Sequence, residues 1–395
     1  MKRTVLLAAI VIAIGFSACE KGQPLVEQTT TDNSFVKYSE AVIPGSFIVL
    51  YDKTDPGFKN APADMAGRNK IVLEVSNAVF KSAGVEMREP SHVYGSTIKG
   101  IAVKLSLAEA ERISKESNVI GVYPDKMVIL AKPTPIPVVP PAEVVPYGVA
   151  RTGYATYTGT HKAWIIDTGI DMNHPDLNVD QTSGATFVLR TTTPEDDNGH
   201  GTHCAGITAA KDNDIGVVGV AAGALVVPVK VLDKRGSGAY SQIIAGVDYV
   251  AAHATPGDAA NMSLGGGVYE PIDLAVVALG ATGVFVSLAA GNESDDANLH
   301  SPARANGLNI FTVSAMDIND YFASFSNYGN PPIDYCAPGV NIYSTYKGDA
   351  YATMSGTSMA APHVCGLLLL TGGHVTTDGY VNGDPDGNPD PIAHK

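Results

Sequence analysis

Three stretches of the chain carry residue types that can attack a carbonyl carbon and move a proton. In Trp164-Ile165-Ile166-Asp167-Thr168-Gly169-Ile170-Asp171 a carboxylate closes an apolar run. A buried carboxylate is costly unless hydrogen bonds hold it, so Asp167 needs a partner: a helix to cap, an ion pair, or a base to orient. Asp197-Asn198-Gly199-His200-Gly201-Thr202-His203-Cys204-Ala205-Gly206 is a Gly-rich turn running into a small-residue helix, which leaves His200 free to approach another strand end as a general base. His200 and His203 stand three apart, but no Glu lies between them in the His-Glu-x-x-His spacing of zinc proteases, so a zinc site is the lesser reading. Ser355-Gly356-Thr357-Ser358-Met359-Ala360-Ala361-Pro362-His363-Val364 sets a Ser among small residues at a helix start. There a substrate backbone can come close and developing negative charge is favoured. Taken singly, Ser358 reads as an N-cap. Taken together and in the order Asp, His, Ser, the three motifs read as a nucleophile, its base and the group that orients the base.

The elements that must position these residues are also visible. Near-continuous apolar runs over 161–167, 225–232, 259–264, 283–289 and 309–315 suit strands of a parallel sheet covered on both faces. Helical patterns over 203–210, 241–253 and 272–282 lie between them. Residues 147–371 are therefore expected to form an α/β domain, a doubly wound parallel sheet flanked by helices, with its site beyond the carboxyl ends of the strands. Residues 45–130 read as a smaller, ferredoxin-like α+β unit in β-α-β-β-α-β order, with strands over 46–51, 98–105 and 119–124 and a helix over 65–79. Its second helix opens on the capping-box spacing Ser106-Leu107-Ala108-Glu109. It holds no catalytic constellation. Residues 131–146, including Lys132-Pro133-Thr134-Pro135-Ile136-Pro137, are too Pro-rich for helix or central strand and read as an exposed boundary. Residues 372–395 form a Gly/Asp-rich tail in which Asp384-Pro385-Asp386-Gly387-Asn388-Pro389-Asp390 alternates oxygen ligands but lacks the bidentate Glu of a calcium loop, so a solvated acidic tail is expected.

The 395 residues suit two packed units, and 45% hydrophobic with 17% charged residues makes disorder or coiled coil a poor starting point. A formal net charge of −14 argues against a sequence-independent grip on nucleic acid; peptide-like substrates fit better. Lys2 and Arg3, an apolar run over 5–16 and then Ser17-Ala18 make residues 1–18 an export signal, shorter than the roughly 20 apolar residues a membrane span needs. Phe16-Ser17-Ala18-Cys19 resembles a bacterial lipoprotein cleavage site, which implies lipid attachment at Cys19, with simple secretion as the alternative. Residues 19–44 then read as a polar tether, and the expected location is extracellular or in the cell envelope. Beyond Cys19 remain Cys204, Cys336 and Cys365, an odd number, so at least one thiol stays unpaired within the chain and the fold should not depend on a disulfide.

Over about residues 147–370 the chain resembles the subtilases, and among them the proteinase K branch. The likeness runs through Pro146-Tyr147-Gly148-Val149-Ala150-Arg151, Ile166-Asp167-Thr168-Gly169-Ile170, Gly199-His200-Gly201-Thr202-His203, Lys230-Val231-Leu232-Asp233, Ala289-Ala290-Gly291-Asn292, Ser324-Phe325-Ser326-Asn327-Tyr328-Gly329 and Gly356-Thr357-Ser358-Met359-Ala360. It implies that Ser358 is the nucleophile, His200 its base and then its acid, and Asp167 the residue that orients His200. Asn292 matches the family's oxyanion Asn, acting with the Ser358 backbone N–H, while His203 falls on the structural side of the helix. Gly236-Ser237-Gly238 and Ser263-Leu264-Gly265 match the segments that sandwich an extended substrate by strand addition. Their Gly-rich walls imply an apolar or aromatic preference before the cut. The 45–130 unit resembles the subtilase propeptide, a folding chaperone and inhibitor that would be cut off between about Leu130 and Pro146. Cys204 stands where the branch has a free thiol beside the catalytic His, and a small buried hydrophobe is its other role. Asp334, with backbone carbonyls near Leu308 and Ile310, matches a structural calcium site, a loop cap being its alternative; the chemistry itself needs no cofactor.

The resemblance thus implies a secreted or lipid-anchored serine endopeptidase, acting as a monomer and made as a self-processed zymogen; the branch's disulfide positions are not reproduced, Phe311 standing where a Cys would be expected. Its partners would be protein or peptide substrates and its own propeptide, with the membrane reached only through the lipid. A catalytically silent surface protein on the same fold would be expected to lose a triad member or Asn292, and all are present. An esterase of the α/β-hydrolase type needs a Gly-x-Ser-x-Gly elbow and the order Ser, acid, His, and Ser358 has neither.

Overall fold

A computed structural model describes residues 38–130, 136–138 and 142–395. The export signal, Cys19 and most of the tether lie outside the described residues, as do residues 131–135.

The N-terminal unit is built from β1 (Tyr38–Tyr51), α1 (Met65–Ser82), β2 (His92–Tyr94), β3 (Gly100–Lys104), α2 (Leu107–Ile113) and β4 (Val119–Leu130). Both helices are capped as their sequences require: Asp64 accepts from Gly67 N at 2.8 Å, and Ser106 and Glu109 close a capping box. Alternation along β1 decides what each face does. Phe47, Val49 and Tyr51 pack with Val72, Val79 and Phe80 of α1 and with Ile113, making the unit's own core. Ile48 and Leu50, on the opposite face, are buried instead among residues of the C-terminal unit. The small sheet is thus apolar on both sides, with its own helices on one side only.

The C-terminal unit contributes β5 (Ile136–Val138), β6 (Ala163–Asp167), α3 (His200–Ala209), β7 (Leu225–Lys230), β8 (Ser237–Ala239), α4 (Tyr240–His253), β9 (Ala259–Met262), α5 (Glu270–Gly280), β10 (Phe285–Ala289), β11 (Ile310–Met316), β12 (Ile333–Pro338), β13 (Ile342–Tyr346), β14 (Ala350–Met354), α6 (Thr357–Thr371), β15 (Thr376–Tyr380) and β16 (Pro391–His394), among shorter segments. Its main sheet runs in the order β15-β16-β12-β11-β10-β9-β6-β7, with every pairing from β16 to β7 parallel. The α/β fold expected from the apolar runs is the one observed. The chain leaves β6 for β7 on one side and then returns to β9 on the other, so the crevice beyond Asp167 is the topological switch point. α6 crosses the centre of this unit and is buried on nearly every face from Thr357 to Leu369, which is why its sequence is apolar all round rather than striped.

The tail does not behave as a solvated acidic segment. β16 adds to β12 in parallel, Cys336 opposite Ile392, and β15 pairs antiparallel with β16. Val381, Asp390, Ile392 and Ala393 are buried there, so the few apolar residues of a Gly/Asp/Pro-rich window suffice to finish the sheet edge. Cys204, Cys336 and Cys365 are buried free thiols.

The two units share a sheet. β8 pairs antiparallel with β4, Ser237 opposite Ile129, Gly238 opposite Val128 and Ala239 opposite Met127, giving the five-stranded order β8-β4-β1-β3-β2. Past residues 131–135, β5 pairs antiparallel with β14, Ile136 opposite Thr353 and Val138 opposite Tyr351.

Candidate active site

Asp167 is the last residue of β6 and is fully buried. Its Oδ1 accepts from Thr168 N at 2.7 Å, and the two carboxylate oxygens lie 2.8 and 2.9 Å from His200 Nδ1. His200 opens α3, and close approach is what the flanking glycines permit: a Cβ on Gly201 would lie 2.1 Å from Gly169 O, and one on Gly199, at φ +114°, 2.2 Å from the Tyr346 ring. Burial works against charge on the His200 ring, but the Asp167 carboxylate, its direct hydrogen bond and Cys204 outweigh this and hold the ring well above the ordinary imidazole range. Its Nε2 is buried and makes no hydrogen bond, so the ring is oriented on one side and available on the other.

Ser358 lies in the first turn of α6 behind Gly356, whose φ is +151°. Its Oγ donates to Ser263 O at 3.2 Å, while Ser263 Oγ donates to Ser358 O at 2.8 Å. Asn261 Nδ2 in turn donates to Ser263 Oγ at 2.9 Å, which ties the end of β9 to the start of α6. Asn292 follows β10, and its Oδ1 accepts from Thr357 N at 2.8 Å and Thr357 Oγ1 at 3.1 Å. A point one Cβ bond off Gly356 lies 3.6 Å from both Asn292 Nδ2 and Asn292 Oδ1 and 3.7 Å from Ser358 N. The Asn292 amide and the Ser358 N–H thus border one small space above a helix N-terminus.

The other site residues are placed as follows. Gly236 O accepts from Leu130 N at 2.9 Å, and Ser237 and Gly238 belong to β8. Ser263, Leu264 and Gly265 follow β9 and are buried. His203 Nε2 reaches the carbonyls of Ile342 and Ala352 at 3.1 and 3.0 Å, which fixes it between α3 and the β13–β14 hairpin, away from the reacting groups. Cys204 Sγ is 4.0 Å from His200 Nδ1 and 3.5 Å from Ser358 O. Asp334 stands apart: its Oδ2 accepts from Thr312 N at 2.9 Å, and desolvation pushes its carboxyl up to about 6. It belongs to neither group of three His, Cys, Asp or Glu side chains that lie within ion-sharing reach among the described residues.

Sequence reading missed the residues that hold the motifs together. Asp196 is a buried hub: Oδ1 accepts from Thr168 Oγ1, Asn198 N and Gly199 N at 2.8–2.9 Å, and Oδ2 from Thr202 N and Oγ1 at 3.0 and 2.6 Å. It locks the loop after Asp167 onto the start of α3. Lys230, opposite Asp167 in the sheet and only 1% exposed, donates to Thr168 O at 2.5 Å and Asp197 Oδ1 at 2.6 Å. The acidic pair Asp196-Asp197 before a Gly-rich turn was the available signal.

The pattern of the subtilase family matches residues 164–373, and that of the I9 peptidase inhibitors matches residues 57–131. The chain is 32% identical over 391 residues to an extracellular serine proteinase of Thermus sp. strain Rt41A, covering 95% of this chain and 90% of that one. It is 36% identical over 340 residues to proteinase R of Parengyodontium album, covering 80% and 82%. A crystal structure of a cold-adapted subtilisin-like serine proteinase superposes with a TM-score of 0.57 at 34% identity, covering 63% of this chain and 98% of that one. With a crevice at its switch point, an inhibitor-like unit paired to β8 and a likeness to the Thermus proteinase that covers 95% of its length, the chain belongs to the subtilase family as a serine endopeptidase that carries its propeptide.

Proposed function

We propose that Asp167, His200 and Ser358 are the catalytic triad of a self-processing zymogen and that the propeptide strand β4 occupies the cleft as a substrate does. The observation that carries this reading is the antiparallel pairing of β4 with β8 beside an Asp167–His200 pair at 2.8 Å. In the reacting state Ser358 Oγ exchanges its bond to Ser263 O for one to His200 Nε2, which accepts its proton as Oγ bonds to the scissile carbonyl carbon. Negative charge builds on the carbonyl oxygen, between Asn292 Nδ2 and Ser358 N. The C–N bond then breaks as Nε2 returns the proton to the leaving amine, and water reverses the sequence to free the acid. Removing one oxyanion donor of this kind costs about 2.7–4 kcal/mol of barrier, a figure that itself comes from subtilisin.

Gly236–Gly238 and Ser263–Gly265 form the two sides that take an extended chain. Val128 and Leu130 of β4 are buried with Leu232, Tyr240 and Leu264, which supports apolar preference on the acyl side of the cut. The span 131–135 links a strand paired on β8 to one paired on β14, which supports a processing bond between Leu130 and Ile136, within the wider span from Leu130 to Pro146 that the resemblance implies. Export, a lipid on Cys19 and a calcium ion on Asp334 complete the proposal. Cys19→Ala should release the protein from membranes, and chelator should lower the thermal midpoint of the parent but not of Asp334→Asn; unchanged behaviour sinks either part. The triad is tested by labelling the processed enzyme with a fluorophosphonate and mapping the adduct. A single adduct on Ser358 is expected, and labelling elsewhere or none refutes the assignment.

A further inference from the structure

A second cluster sits one residue beyond Asn292. One ligand atom each of Glu293, Asp295 and His300 lies within 4.8 Å of the others. His300 Nε2 is 2.6 Å from Asp295 Oδ1, and its Nδ1 faces Glu293 Oε2 at 3.6 Å. Glu293 Oε2 is already engaged, accepting from Asn292 N and from Asn327 Nδ2, both at 2.8 Å. Glu293 Oε1 is different: it is buried and has no hydrogen-bond partner. A carboxylate oxygen withdrawn from water without a donor is an unfavourable arrangement that a cation relieves. The His300 main chain is held by pairing, Gly267 opposite His300 and Gly266 opposite Ser301, and its ring by the 2.6 Å contact with Asp295.

We propose that Glu293 and His300, braced by Asp295, bind a divalent transition-metal ion of the zinc type, and that its binding depresses peptidase activity. Asp295 accepting from Nε2–H fixes the tautomer and leaves the Nδ1 lone pair directed at the Glu293 carboxylate, the carboxylate–histidine–metal pattern. Zn–N and Zn–O bonds of about 2.0–2.2 Å at a tetrahedral angle place two ligand atoms roughly 3.4 Å apart; Nδ1 lies 3.6 Å from Oε2, the other oxygen of the carboxylate that carries the orphaned Oε1. The side chains of Glu293, His300 and Asp295 are 21%, 12% and 42% exposed with the propeptide in place, so an ion has an entry and water can complete the coordination. Glu293 also holds the Asn292 N–H. An ion drawing on the Glu293 carboxylate therefore acts directly on the residue assigned to the oxyanion; this second half rests on that assignment, whereas metal binding does not.

The test is calorimetric titration of ZnCl2 into metal-stripped full-length chain carrying Ser358→Ala, which keeps self-cleavage out of the measurement. One ion per chain is expected, with affinity lowered at least tenfold by His300→Gln and by Glu293→Gln and unchanged by Asp334→Asn. Thermal midpoints in EDTA establish that each variant is folded, and Asp295→Asn replaces either one that is not. No zinc binding, or binding that none of the cluster substitutions weakens, overturns the site. In the active enzyme, zinc should inhibit peptide hydrolysis at the same concentrations, and His300→Gln should raise the inhibitory concentration at least tenfold. Full activity at zinc saturation overturns the inhibitory role alone, and hydrolysis measured in EDTA tests the peptidase reading separately.

Discussion

The propeptide and the catalytic unit bury their sheets in different ways. β6 of the catalytic sheet is buried at every position because helices cover both faces. The propeptide sheet has helices on one face only and gives Ile48, Leu50, Tyr94, Ile98, Ala102, Val128 and Leu130 of its other side to the enzyme's core. The catalytic unit carries the chemistry and can cover itself, whereas the propeptide carries none and is completed by what it inhibits. Polar groups follow the same division of labour. Asp248 of α4 accepts from Gly95 N, Ser96 N and Thr97 N at 3.2, 2.8 and 2.6 Å. Asp125 of the propeptide accepts from Ser241 N and Oγ at 3.1 and 2.7 Å, at the N-terminus of α4 where the helix dipole favours a carboxylate. Each unit thus caps backbone N–H groups of the other.

If the division is right, substitutions should separate cleanly. The largest effect belongs to His200→Ala, which should lower kcat/KM by about 10⁴-fold or more while leaving the thermal midpoint near the parent's; retention of a tenth of the activity would break the comparison at its base. Asp248→Ala comes next. It should weaken inhibition by added propeptide by about 10–100-fold, the loss of hydrogen bonds to a buried charge, and leave kcat on a short peptide unchanged. Equal inhibition of parent and variant would show that the shared apolar face alone holds the units together.

The smallest effect lies within the catalytic unit. Burial, opposed by the Ser314 hydrogen bond and helped by Asp384, pushes the Asp390 carboxyl up to about 7. A folded-state pKa above the unfolded value means the folded chain keeps a proton that the unfolded chain releases. That contribution to stability is fully present below about pH 4 and is lost as pH rises through about 7. Asp390→Asn, neutral throughout, should therefore raise the thermal midpoint relative to the parent by a few degrees, on the order of that expected for about 1 kcal/mol, at pH 8 in EDTA and not at pH 4. A difference that does not vary with pH would show that Asp390 is not the titrating group.

What the sequence revealed and what it hid have physical causes. Parallel strands were legible because burial on both faces writes an unbroken apolar run, and the second propeptide helix because Ser106 and Glu109 satisfy each other locally. Long-range pairing was not legible. β1 starts at Tyr38 and β4 reaches Leu130 because they pair with each other, Tyr38 opposite Leu130, although the start of β1 lies in a stretch that reads as tether. Ser237-Gly238-Ala239 has no strand propensity and becomes β8 through its pairing with β4. The tail misled because Gly, Asp and Pro dominate its composition, while Ile392 and Ala393 decide its place. In the site, the Asp167–His200 pair is where the motif order implied, but Asp196, which lies just outside the motif that begins at Asp197, is what holds their two loops together.

Whether the chain cuts its own propeptide with Ser358 as nucleophile is read from the N-terminal sequence and mass of purified Ser358→Ala beside the parent. The parent's mature N-terminus should fall between residues 131 and 136, and the variant should be folded, uncut and still carry residues 45–130. A variant processed at the parental bond and rate in pure solution would contradict this role for Ser358.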